Sequence, residues 1–243
     1  MALALNIGKC SQLGNYRENN EDALDVKQFP DMTICLVADG MGGQNAGEVA
    51  SKHAIEILPR ELKENLVGAL SQDVTKSVIR KAIVTANEEI MFMAQHDPNL
   101  KQMGTTIVLA VWRKGSAVMH VTGLGDSRAY LVRGKKIERL GEAKTISAAE
   151  ARVHRYRNVL WKYLGSAEVG EGPEVKVVQL QAGDRYLLCT DGLSGVVSDE
   201  QLLTFIKDKA DVQECADGLG QLALDQGSRD NISCVVIEVV ESK

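Results

Sequence analysis

The sequence predicts an α+β fold of mainly antiparallel sheets with helices packed outside them. Three observations lead to it. Short runs of β-branched and apolar residues recur along the chain, and several are joined by tight hairpin-like turns. Helical patterns fall between them without the strict alternation that a doubly wound parallel sheet requires.

In chain order the strand signals are Thr33–Ala38, Thr106–Trp112, Ala117–Gly123, Arg128–Arg133, Val175–Leu180, Arg185–Thr190 and Ser233–Val240. Arg113-Lys114-Gly115-Ser116 supplies a turn between the second and third. Gly134-Lys135-Lys136 supplies another, leading into Ile137–Leu140. The first helical pattern, Gly47–Leu62, carries Val49, Ala50, His53, Ala54 and Ile57 on one face, and Pro59 is expected to kink or end it. Val74–Ala94 has a fuller stripe of Val78, Ile79, Ala82, Ile83, Ala86, Ile90 and Met93. Asp199–Lys207, capped by Ser198 or Asp199, and Asp211–Gln226 are the late helices. There is no repeat, low-complexity segment or linker, so residues 1–243 are expected to form one domain.

Hydrophobic residues make up 44% and charged residues 25%, ordinary for a globular chain with a sizeable core. Aromatics are only 4%, which leaves the core to Val, Ile, Leu and Ala. The net charge of −5 argues against general nucleic-acid binding. The five cysteines include no CxxC pair, and Cys35, Cys189 and Cys234 lie in apolar strand-like runs, as small buried hydrophobes do. Met1–Asn6 lacks the basic region of a signal peptide, and no apolar run approaches the ~20 residues of a membrane helix. A reduced, cytoplasmic protein without a membrane partner is expected, and a monomer.

Five short acidic motifs carry the chemistry: Asn20-Glu21-Asp22, Asp39-Gly40-Met41-Gly42-Gly43, Gly125-Asp126-Ser127-Arg128, Asp191-Gly192 and Arg229-Asp230-Asn231. Thr33–Ala38 runs straight into Asp39, and Arg185–Thr190 into Asp191; Asp230 stands just before Ser233–Ile237. Carboxylates at strand ends, with glycine beside them to let the backbone come close, suit hard cations. Gathered in one place they repel each other unless protonated or bound to metal. A lone Asp is more often a solvated turn or a helix cap. Oxygen ligands with no His or Cys in the motifs favour Mg²⁺ or Mn²⁺ over Zn²⁺.

Read in order, these motifs resemble those of the metal-dependent protein phosphatase family (the protein phosphatase 2C type), especially its compact bacterial members. Arg17–Ala23 is similar to the family's first motif, and Val37–Gly43 followed by Ala46–Ser51 to its second. Met103-Gly104-Thr105-Thr106, Gly125–Tyr130, Asp191-Gly192-Leu193 and Gly227–Asn231 complete the set. The resemblance covers almost the whole chain and implies a four-layer α-β-β-α sandwich with two central, mainly antiparallel sheets.

It also implies roles. Asp39 would bridge two ions, with the Gly40 carbonyl as a further ligand; Asp191 and Asp230 would complete one shell, and Glu21 and Asp22 would hold the other ion directly or through water. Two such ions, about 3.5–4 Å apart, share a water and lower its pKa, and the resulting hydroxide attacks phosphorus in line. Arg17, four residues before Glu21, offers a fork for two phosphate oxygens where the alternative is a surface ion pair. Asp126 matches a third-ion ligand of bacterial relatives, against a tight turn held by Asp126 and Arg128. Many eukaryotic members have a histidine after the Asp-Gly pair; Met41 stands here, leaving water to protonate the leaving alkoxide. None of His53, His96, His120 and His154 stands out as a replacement, and His53 and His120 read as core.

The chain departs from the family after Gly134. The usual Leu-Thr-x-Asp-His-Ser-like stretch, which leads into a flap beside the site, is missing, although Ala151–Leu160 resembles the flap's end; the flap region is approximately 137–165. Arg152, His154, Arg155, Arg157 and Lys162 form a basic cluster, read as a solvated helix face or as a docking surface for acidic or phosphorylated peptide.

The implied activity is Mg²⁺/Mn²⁺-dependent hydrolysis of phosphoserine and phosphothreonine in proteins, a Ser/Thr kinase among them. Two alternatives stand beside it: a catalytically silent phosphoprotein-binding module of the same fold, and a hydrolase of small phosphate esters. Silent members of such families usually lose metal carboxylates, and this chain keeps them.

Overall fold

The computed structural model describes residues 2–43, 46–141 and 162–242. Most of the flap region and all of its basic cluster except Lys162 lie outside the described residues. The chain runs β1 (Leu3–Gln12), β2 (Asp22–Gln28), β3 (Met32–Met41), α1 (Ala46–Asn65), α2 (Gln72–His96), β4 (Gly104–Thr105), β5 (Ile107–Arg113), β6 (Val118–Leu124), β7 (Arg128–Arg133) and β8 (Lys136–Leu140). Then follow β9 (Lys176–Gln179), β10 (Arg185–Cys189), α3 (Asp191–Ser194), α4 (Asp199–Asp208), α5 (Val212–Asp225) and β11 (Ile232–Glu241).

The strands form two sheets in which the named strands pair antiparallel. One has the order β1-β11-β10-β7-β8; the other has β2-β3-β5-β6-β9, with β4 paired to β3. The two-residue period of a strand sorts its side chains between layers. On β3, Ile34, Leu36 and Ala38 face the helical side with Ile57, Leu58, Ile79 and Ile83 of α1 and α2. Cys35 and Val37 face the other way, where they pack with Tyr186, Leu188, Val235 and Ile237 of the second sheet. On β11, Cys234 and Val236 turn outward to Leu202, Ile206, Cys215 and Leu219 of α4 and α5. The layers are therefore helix, sheet, sheet, helix, as the resemblance implies.

Pro59 does not end its helix. α1 continues to Asn65 because Leu58 and Leu62 are fully buried on the same stripe, and burial of that order outweighs the loss of one backbone hydrogen bond. Ser198 caps α4 with a full capping box, its hydroxyl accepting from the Gln201 amide and the Gln201 side chain accepting from the Ser198 amide. His120 is buried, as expected. His53 is not core: its Nε2 lies 3.0 Å from Glu89 in a half-exposed pair between α1 and α2. No helix among the described residues is long and apolar enough to cross a membrane.

Candidate metal centre

Asp22 and Asp39 are brought together by strand register. They are the first partners of the β2–β3 ladder, directly opposite each other, so both carboxylates leave the sheet on one face. Asp191 arrives from the other sheet as the first residue of α3, straight after β10, and Asp230 from the turn before β11. Charge repulsion among Asp22, Asp39, Asp191, Asp230 and Asp126 follows from their closeness.

Burial and this repulsion govern the titration. Asp22 is only 7% exposed, and burial first, then Asp230 and Asp191, push its pKa to about 7 against the hydrogen bonds it receives from Ser233 and Thr190. Asp39 is raised well above its ordinary value by burial and by the acids around it. Asp191 goes to about 6 through burial, Asp126 and Asp230. Burial also raises Glu21, with Arg17 opposing. Asp126 is raised by burial and held back by a hydrogen bond from its own amide and by Arg128 and Arg139.

A second group of residues, to which the motifs assign no role, fixes these acids in place. Thr190 donates its hydroxyl to Asp22 Oδ2 at 3.0 Å and accepts the Ser233 amide at 3.0 Å. Thr106 Oγ1 accepts the Asp39 amide at 2.9 Å, and the Thr105 hydroxyl donates to the Asp39 carbonyl at 2.9 Å. Thr106 is buttressed in turn by Ser127 at 2.7 Å. Asn231 ties the first motif to the last: its Oδ1 accepts the Glu21 amide at 2.9 Å, and its Nδ2 donates to the Leu13 and Asn19 carbonyls at 2.9 and 3.1 Å. The polar residues of Met103–Thr106 and Gly125–Arg128 are visible as motif letters, but only the fold shows where their hydroxyls point.

The glycines allow close backbone approach. A Cβ on Gly40 would stand 2.1 Å from the Gly47 carbonyl oxygen, and one on Gly192 would stand 1.9 Å from that of Asn231. Both contacts bring elements of the centre together, β3 to α1 and α3 to the Asp230 turn.

Arg17 pairs with Asp230 at 2.7 Å, with about half of its side chain exposed. Arg128 does not hold the Asp126 turn: it donates to the Tyr130 hydroxyl at 3.0 Å, which donates to Asp199 at 3.1 Å. No histidine among the described residues stands at the centre: His53 faces Glu89, His96 stacks on Phe92, and His120 is in the core.

Among the described residues no group of three or more His, Cys, Asp or Glu side chains forms a finished metal cage. Asp230 is engaged by Arg17 and Asp22 by Thr190. The residues nevertheless fit a hard divalent cation. Asp22 Oδ1 and Asp191 Oδ1 are buried oxygens without a hydrogen-bond partner, and the carboxylates repel one another. A cation with oxygen ligands relieves both.

A family model described as protein phosphatase 2C matches residues 15–225. The chain belongs to the protein phosphatase 2C family. Among its relatives is the serine/threonine phosphatase stp of Listeria monocytogenes, 34% identical over 236 residues, covering 93% of this chain and 92% of that protein. The serine/threonine protein phosphatase PstP of Mycobacterium tuberculosis is 34% identical over 251 residues, covering 99% of this chain and 46% of its own length. The crystal structure of Mycobacterium tuberculosis PstP/Ppp superposes with a TM-score of 0.81 at 33% identity, covering 98% of this chain and 99% of that one. A structure of the PstP catalytic domain in complex with 2 manganese ions gives 0.80 at 32% identity, covering 98% of this chain and all of that one. All of the protein phosphatase 2C motifs named from the sequence lie within the described residues.

Proposed function

We infer that this chain is a Mg²⁺/Mn²⁺-dependent protein serine/threonine phosphatase. One observation carries the reading: Asp22 and Asp39 face each other in register while Asp191 and Asp230 arrive from the other sheet, leaving buried carboxylate oxygens unpartnered. The family and the manganese-loaded relative support the same conclusion.

We assign Asp39, Asp191 and Asp230, with the Gly40 carbonyl, to holding one ion, Asp39 with Glu21 and Asp22 to the second, and Asp126 to a third. Bound there, such ions supply Lewis-acid charge for the phosphate and lower the pKa of a water molecule. The chain's own groups do the positioning. Thr190 orients Asp22; Thr105 and Thr106 fix the backbone of Asp39. The Arg17 guanidinium uses one N–H on Asp230, and its remaining donors suit phosphate oxygens in a fork geometry. Water attacks phosphorus, the Ser or Thr oxygen leaves, and a second water protonates it, because no imidazole among the described residues stands near. The products are inorganic phosphate and the free hydroxyl.

Autophosphorylated Ser/Thr kinases are the proposed substrates in a signalling role, acted on by a monomeric single-domain chain. A cytoplasmic setting is favoured by the five cysteines, all of them buried free thiols. Titration of the metal-free protein with Mn²⁺ by calorimetry tests the assignment. Two or three sites are expected, with at least one lost in Asp39→Asn; binding unchanged in that variant would overturn it.

A further inference from the structure

Beside the carboxylates lies an exposed platform that the chemistry above leaves unused. The Tyr16 ring is 63% exposed and Leu13 is 40% exposed. The Arg229 guanidinium carbon lies 5.5 Å from the Tyr16 ring centroid. Among the described residues Arg229 makes no ion pair. Tyr16 precedes Arg17, Arg229 precedes Asp230, and Arg17 and Asp230 bond to each other at 2.7 Å. The platform is thus one residue removed, on both stretches of chain, from the proposed phosphate grip.

It is also held in advance of any ligand. Asn231 fastens the loop at the Leu13 and Asn19 carbonyls. Gly14, at φ 80°, lies so close to the Asp230 carbonyl that a Cβ would stand 2.6 Å from its oxygen. The exposed ring on a fastened loop, with the Arg229 guanidinium over its face, presents an apolar surface and a positive charge side by side, already in place for a ligand. Arg17 is already paired with Asp230, so Arg229 is the neighbouring cation left without an ion pair among the described residues.

We propose that Tyr16 and Arg229 form a recognition platform for an acidic side chain flanking the phosphorylated residue of the substrate protein. The carboxylate meets the Arg229 guanidinium, whose flat face is steadied by Tyr16, and the stem of the flanking residue lies along the ring. Neither residue touches the reacting phosphoryl group. The proposal rests on the phosphatase reading.

The test compares phosphothreonine peptides carrying glutamate or lysine on each side, with para-nitrophenyl phosphate as a substrate that has no flanks, all with Mn²⁺. Glutamate on one side is expected to raise kcat/KM over lysine by about fivefold, the upper range for an exposed ion pair, chiefly through KM. Arg229→Glu is expected to invert the preference. Tyr16→Phe should retain it and Tyr16→Ala should lose most of it, with para-nitrophenyl phosphate turnover changed less than about twofold in each. A wild type indifferent to the flanks, or a preference that survives Arg229→Glu, overturns the platform while leaving the phosphatase intact. No Mn²⁺-dependent turnover of para-nitrophenyl phosphate or peptide by the wild type overturns both.

Discussion

Replacing Asp22 by Asn is expected to stabilise the metal-free protein while weakening its function. Asp22 is nearly fully buried; one oxygen accepts from Thr190 at 3.0 Å and the other has no partner. Its pKa is raised from the ordinary 3.8 to about 7. Between these values the folded chain keeps a proton that the unfolded chain has released, so stability falls as pH rises through that window and the penalty is complete above it. A difference of roughly three pKa units corresponds to about 4 kcal/mol at pH 8 and well under 1 kcal/mol at pH 4. Asn keeps the shape and an acceptor for Thr190, but its amide must find a partner where Oδ1 has none, so about 1–3 kcal/mol is the expected net gain at pH 8. For a chain of this length that is about 2–12 °C in Tm. Thermal melts in chelator at pH 4 and pH 8 measure it. Adding Mn²⁺ should raise the wild-type Tm more than the variant's, because the ion stabilises only what binds it. An Asp22→Asn variant that melts below wild type at pH 8 in chelator, or a gap of the same size at pH 4, refutes the picture of Asp22 as a buried carboxylate awaiting a cation.

Other outcomes follow from the same structure. Asn231→Ala removes the three side-chain hydrogen bonds that hold residues 13–21 and should cost about 2–4 kcal/mol by urea denaturation, with Mn²⁺ affinity reduced. Gly192→Ala places a methyl 1.9 Å from the Asn231 carbonyl oxygen and should destabilise by about 3 kcal/mol or more, or abolish folding, as circular dichroism would show. His120 has its pKa lowered by burial and by Lys76 and Arg113, and neither ring nitrogen has a partner. Its contribution is therefore present above the unfolded pKa near 6.5 and is lost as pH falls. His120→Leu should match the wild type at pH 8 to within about 1 kcal/mol and exceed it at pH 5 in denaturant titrations. Arg17→Lys, which keeps the charge but loses the fork, should lower kcat/KM for phosphopeptides by about ten- to a hundredfold, read by phosphate release.

Much of this is legible in the sequence. The seven strand signals fall within one to three residues of observed strand ends because β3, β5 and β11 are buried on both faces and read as unbroken apolar runs. β1 and β2 give no such signal, for the opposite reason. They are the ends of their sheets, and β2 reads Asp-Ala-Leu-Asp-Val-Lys-Gln, with the polar residues that keep an edge from pairing further. α3 has four residues, too few for a period to show. Pro59 does not end its helix because burial of Leu58 and Leu62 is a tertiary effect invisible to local propensity. His53 sits on an apolar spacing yet belongs to the helix surface, where Glu89 of α2 meets it. At the centre, motifs and neighbouring glycines point to Asp22, Asp39, Asp191 and Asp230, which the fold brings near one another. The register that opposes Asp22 to Asp39 and the hydroxyls of Thr105, Thr106, Ser127 and Thr190 emerge only from the fold, because nothing in a threonine's sequence position tells which way its oxygen points.

The most direct test of the central claim is phosphate release from a phosphothreonine peptide, with and without Mn²⁺, by this chain and by Asp191→Asn. The structure predicts turnover that depends on Mn²⁺ and falls by at least about a hundredfold in the variant, while its fold by circular dichroism is unchanged. Turnover that ignores Mn²⁺, or that survives the loss of Asp191, would contradict it.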